Sequence, residues 1–258
     1  MSLTREVKDS FVIRTSASQR RIRRGEADFS LWNYIGSALS VVCVLTVATV
    51  TLLFNEPSAE AAQRSQCEIG AFVQESDPAG LNVRAAPNAG AKVLGTLAPI
   101  WVDREQGYRT RAEVDVIASQ GGWFLIRNGR DNPDMTGRAE RSMYQGEGWV
   151  SGSRLVVKSQ SNVGRAKPRH DAPEVTRLRD GGTFDNDAMI DGSRLVGCQG
   201  PWAQVEFTDS RLRPSTRQAL RVDPSARHGL PSGHFRVWMD KICGVQETSC
   251  DGLGGNEP

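Results

Sequence analysis

A block reading Leu81-Asn82-Val83-Arg84-Ala85-Ala86-Pro87 is followed, ten residues past the proline, by Leu97. A weaker echo, Arg165-Ala166-Lys167-Pro168, again has Leu178 ten residues on. Downstream of each block come an apolar pair, a glycine-containing turn and a tryptophan: Val116-Ile117 before Gly121-Gly122-Trp123, and Leu195-Val196 before Gly200-Pro201-Trp202. Each unit closes on a second tryptophan, in Gly148-Trp149-Val150 and in Val237-Trp238-Met239. One small module is therefore written twice, and each copy must fold in fewer than about 100 residues.

The segments between these landmarks are short. Ala71-Phe72-Val73, Leu81-Asn82-Val83, Val93-Leu94, residues 114–117, 123–126 and 149–150 read as strands of the first unit, broken by Gly, Pro, Asn and Asp. Leu155-Val156-Val157 either ends that unit or leads into the next. The second unit offers residues 175–178, 194–196, 202–207 and 235–239, with short helical turns near 211–219 and after Trp238. Outside one membrane-type run, no stretch sustains a helical apolar period. The expected class is all-β. Five short strands per unit favour a small, partly open barrel, because closing a sheet on itself removes exposed edges.

Residues 31–54 contain no charged side chain. A helix of about 20 residues crosses a hydrocarbon core, so this run predicts one N-terminal transmembrane helix. Arg20, Arg21, Arg23 and Arg24 precede it, which places residues 1–30 in the cytoplasm and the remainder outside, at the inner membrane facing the periplasm. Ala59-Glu60-Ala61 is an alternative signal-peptide cleavage site that would release the protein. The predicted organisation is an arm at 1–30, a membrane helix at 31–54, a stalk at 55–66, modules at 67–157 and 158–250, and a tail at 251–258. Cys67, Cys198, Cys243 and Cys250 form an even set in the exported part, as an oxidising compartment favours, and three pairings remain open. A net charge of +2 is too small to imply nucleic-acid binding.

With these residues in hand, the first unit, about 70–157, resembles the bacterial SH3-like (SH3b) family. The resemblance is carried by Leu81, Asn82, Val83, Arg84, Pro87, Val93, Gly95 and Leu97, then Gly122-Trp123 and Gly148-Trp149-Val150. The second unit, about 162–250, is similar but degenerate. It keeps Arg165, Pro168, Leu178, Trp202 and Trp238, while Ser161-Asn162-Val163-Gly164 replaces the expected Leu-Asn-Val. The resemblance implies two tandem SH3-like barrels, no enzymatic activity, and binding or targeting at the cell wall, often to peptidoglycan. It transfers no binding site residue by residue.

Leu81, Val83, Pro87, Leu97, Trp123, Trp149, Pro168, Trp202 and Trp238 are expected to build the framework. The tryptophans could instead line a groove. Asn82 and Arg84 are ligand candidates, although two-residue alternation would simply turn them to solvent. Long loops on a small scaffold carry function, which singles out Tyr144 in the 127–147 insertion. It also singles out Arg211, Arg213, Arg217 and Arg221 in the basic 208–235 insertion. His228 and His234 lack companions for a metal site, and Asp185, Asp187 and Asp191 lack the closing glutamate of a calcium loop, so they read as a turn. No nucleophile motif or phosphate-cradling loop is present, and no cofactor is expected. The partner is expected to be cell-wall peptidoglycan, with an envelope protein as the alternative. Oligomeric state is not readable.

Overall fold

The computed structural model describes residues 63–105, 109–179 and 181–244. The arm, the apolar run at 31–54, most of the stalk, Cys250 and the tail lie outside them. Among the described residues no helix is long and apolar enough to cross a membrane. Among the described residues the fold is predominantly β-sheet with three short α-helices.

The first half contributes β1 (Ser65–Val73), β2 (Leu81–Arg84), β3 (Val93–Leu97), β4 (Trp101–Val102), β5 (Arg109–Thr110), β6 (Glu113–Gln120) and β7 (Trp123–Arg130), then helix α1 (Pro133–Thr136), β8 (Gly148–Ser151) and β9 (Leu155–Val156). Apart from the β4–β5 ribbon, these strands form one sheet in the order β3-β2-β8-β7-β6-β1-β9. The second half contributes β10 (Val163–Arg165), β11 (Glu174–Leu178), α2 (Asp187–Ile190), β12 (Ser193–Gln199), β13 (Trp202–Thr208), α3 (Pro214–Ala219), β14 (Leu220–Val222) and β15 (His234–Met239). Its sheet runs β12-β13-β15-β10-β11-β14. The five-strand series β3-β2-β8-β7-β6 therefore recurs as β11-β10-β15-β13-β12. The first half adds β1 and β9 beside β6, and the second adds β14 beside β11. β4, β5, β10 and β14 went unread because each is two or three residues long and too short to show alternation. Among the described residues, which end at 244, no helical turn follows Trp238; the strand runs on to Met239 and the chain then bridges at Ile242.

The repeat extends to single hydrogen bonds at a constant offset of 81 residues, from Arg84 to Arg165 and from Leu97 to Leu178. Arg84 donates from Nη1 to Ala91 O at 2.8 Å, and Arg165 donates to Ala172 O at 2.9 Å. The Ala85 amide donates to Lys92 O at 2.9 Å, and the Ala166 amide to Pro173 O at 3.0 Å. A register break precedes each arginine, and each stands opposite a tryptophan, Trp149 or Trp238.

The degenerate motif has a packing logic. Asn82 faces Thr96 and Val83 faces Gly95, whereas Val163 faces Arg177 and Gly164 faces Thr176. Gly164 thus stands where Val83 stands in the first half. A Cβ on Gly148 would come within 2.3 Å of Val83 Cγ1. A Cβ on Gly164 would come within 2.4 Å of Thr176 Oγ1 and 2.7 Å of Val237 Cβ. One copy fills this spot from the centre and the other from its two neighbours. The spot is filled in both copies, as a close-packed interior demands.

The two halves share one apolar core, running from Cys67, Ile69 and Val116 through Phe124 to Leu195, Val205, Phe235 and Ile242. Phe72 and Val156 pack with Ile190 and Cys243 in a smaller cluster across the junction. A disulfide joins Cys67 to Cys198. Beside it the Glu68 amide donates to Gly200 O and the Gly200 amide to Gln66 O, at 2.8 and 2.9 Å. Cys243 is also disulfide-bonded. Strand β1 approaches the second half so closely that a Cβ on Gly70 would lie 2.6 Å from Cys243 O. The connecting segment is no loose tether: Ser159 is fully buried, bridges Phe184 and Ile242, and donates from Oγ to Asp240 O.

Candidate functional site

Between the halves an open crevice of about 430 Å³ is lined by Gln74, Ser76, Ile100, Ser153 and Arg154 of the first half. Asp191, Ser193, Arg194 and Arg211 of the second half complete it. Each wall comes from a local feature that the fold needs anyway. Gln74 and Ser76 follow the end of β1, and Ser153 and Arg154 sit on the 3₁₀ turn Gly152–Arg154. Ser193 and Arg194 open β12, and Arg211 ends the 3₁₀ turn Asp209–Arg211. Gly152 allows this approach, since a Cβ there would meet Leu195 O at 2.5 Å.

The floor of the crevice is a charged seam. Asp191 accepts from Arg109 Nη1 at 2.6 Å and from Arg111 Nη2 at 3.0 Å. Arg111 Nε donates to Gln74 Oε1 at 2.8 Å. Only 1% of the Arg111 side chain is exposed, so this guanidinium is a buried cation held by the other half's carboxylates. Burial pushes Arg111 and Lys158 below their ordinary pKa, against the pull of Asp191 and Asp187 on the first and Asp187 and Asp185 on the second. The aspartates that read as a turn are thus the acidic side of a joint. Asp187 and Ile190 bound a one-turn helix, with Asn186 as its cap accepting from the Met189 amide.

Above the seam, Arg154 faces Glu75 at 3.4 Å and Arg194 is bonded to Glu206. Glu206 also receives His234 and Arg236. Burial alone would raise the Glu206 pKa. Hydrogen bonds from Arg236, His234 and Arg194 outweigh it and hold the carboxyl below its ordinary value. Arg211 is exposed and, among the described residues, has no acidic partner. Guanidiniums, hydroxyls and a carboxamide converging on one polar opening can bind an anionic, hydroxyl-rich ligand.

Of the residues singled out from sequence, Arg211 lines this crevice. Asn82 is exposed on β2, and Arg84 is half-buried and committed to its own loop. Tyr144 is half-buried: its ring lies over Gly95, where a Cβ would come within 2.5 Å, and its hydroxyl donates to Glu147 O. Arg213 and Arg217 are exposed at α3. Arg221 lines a separate small pocket with Glu174, Arg177 and Asp223. Leu81, Val83 and Leu97 are buried in the core, and Pro87 and Pro168 are half-buried.

The tryptophans lie outside that main core. Trp149 packs with Ala118 and Leu125 in a separate cluster, against which Trp123 lies half-buried. Arg64 covers the Trp149 ring at 5.6 Å. Trp202 is buried beside His170, and Trp238 is half-buried. No group of His, Cys, Asp and Glu among the described residues is arranged to hold a metal ion.

Sequence reasoning missed Gln74, Ser76, Ser153, Arg154, Ser193 and Arg194. Their one common signal is a position just beyond or at the end of a strand in each copy. In comparisons with known proteins, the chain matches no family model and no curated protein or solved structure.

Proposed function

We propose that this chain is a non-enzymatic, membrane-anchored binding protein of the cell envelope, built from two bacterial SH3-like modules outside the cytoplasm. In this reading the crevice between the modules takes cell-wall peptidoglycan. The observation that carries it is the polar opening walled by Arg154, Arg194, Arg211 and three serines drawn from both halves. A glycopeptide offers the matching hydroxyls, amides and carboxylates. The Cys67–Cys198 disulfide is in keeping with an oxidising compartment. Because the halves share a core, the two modules act as one composite site.

The second reading is an interaction subunit that binds an envelope protein. Val93 and Leu94 favour it: they are 42% and 39% exposed on β3, at the edge of the seven-stranded sheet. An added strand from a partner would use such an edge. Co-sedimentation of the oxidised protein with purified sacculi, at low and high salt, separates the two readings. Salt-resistant binding supports wall recognition. No binding by the folded protein overturns it in favour of the protein partner.

A further inference from the structure

Most charges around the crevice are already engaged, and what is left over describes the ligand. Asp191 is engaged by Arg109 and Arg111. Arg154 has Glu75, and Arg194 has Glu206. Arg211 remains as one exposed guanidinium without an acid among the described residues. Ser76 offers an exposed hydroxyl, the exposed Ser153 hydroxyl is shared with Ser151, and the buried Ser193 hydroxyl, which donates to Ile190 O, retains acceptor capacity. An exposed guanidinium without an acid, set among hydrogen-bonding groups, matches a carboxylate.

We infer that the crevice recognises a free carboxylate of a glycopeptide, with Arg211 as its anchor and the serines and Gln74 holding the neighbouring amides and hydroxyls. This rests on the wall-binding reading above. Arg211 is a sound probe because, exposed and unpaired, it supports no buried neighbour. Neutralising either partner of an arginine–carboxylate pair removes the ion-pair strength of the bond.

The test uses the full chain in neutral detergent and a dye-labelled soluble disaccharide–tetrapeptide wall fragment, read by fluorescence anisotropy. The fragment is prepared with its carboxylates free and with them converted to carboxamides. Amidation is expected to weaken binding roughly ten-fold or more. Arg211→Gln should weaken binding of the free fragment to a similar degree and barely change binding of the amide. Arg217→Gln, in the same basic segment but outside the crevice, should leave both unchanged. Equal binding of free and amidated fragments, or equal losses from Arg211→Gln and Arg217→Gln, would overturn the inference in favour of diffuse charge. If sacculi co-sediment but the free fragment does not bind, the carboxylate site falls and the wall reading stands. If neither binds, the wall reading itself falls.

Discussion

The exchange of bulk between Val83 with Gly148 and Gly164 with Val237 makes a quantitative prediction. Val83 is fully buried, so Val83→Gly removes its side chain from the core and leaves a cavity. Lost burial of about 1.5–3 kcal/mol, plus about 0.5–1 kcal/mol for glycine in a strand, gives about 2–4 kcal/mol before any cavity term. Gly148→Val alone drives a Cβ to within 2.3 Å of Val83 Cγ1, an overpacking worth about 1–3 kcal/mol or more. The double variant moves the side chain to the neighbouring strand, as the second half does. Arg84 O at 3.2 Å and Leu94 Cδ1 at 3.4 Å are the contacts that must still give slightly. The double variant should therefore be less destabilised than either single one, with a coupling energy near the upper end of about 0.5–3 kcal/mol. Urea unfolding of residues 55–258, which make up one compact unit, followed by tryptophan fluorescence, measures all four corners of the cycle. Additive losses would refute the swap.

Three further outcomes follow from the packing and the charges. Replacing Cys67 and Cys198 by serine opens a loop with a sequence separation of 131, and the chain-entropy estimate is a loss of about 5 kcal/mol in a denaturant titration. Arg111→Met leaves Asp191 and Gln74 facing an apolar chain at the buried seam. With Asp191 still held by Arg109, it should cost about 1–3 kcal/mol in the same titration, and Arg111→Lys, which cannot span both acceptors, should recover only part. Glu206 and Asp131 both have carboxyl pKa values held below ordinary, the latter by Arg141 and backbone amides against the effect of burial. Such groups stabilise the fold above the unfolded pKa of roughly 4 and lose that contribution as pH falls through the lower folded value. The melting-temperature gap between wild type and Glu206→Gln should accordingly be wide near pH 7 and close below about pH 4.

What could be read from sequence was local. The repeat, the tryptophan-bearing hairpins and the strand at Val93-Leu94 all show in residue spacing, because alternation and turns are nearest-neighbour physics. Arg84 and Arg165 were visible as a repeated pair, yet their shared use, bonding the carbonyl seven residues on, needed the loop's path. The crevice was not legible. Asp191 reads as a turn residue until Arg111, 80 positions earlier, is packed against it. Gly164 reads as decay of a motif until Thr176 and Val237 are found occupying its space. Both depend on contacts between distant segments, which composition and period do not carry.

The central claim, that wall material enters the opening between the two halves, is tested most directly by plugging it. Ser153 is exposed at the crevice, and Asn82 is exposed on β2 away from its lining. Sacculus binding is measured for Ser153→Trp and Asn82→Trp after thermal melts confirm that both are folded. The account predicts that Ser153→Trp abolishes binding and Asn82→Trp leaves it intact. Undiminished binding by a folded Ser153→Trp protein would contradict it.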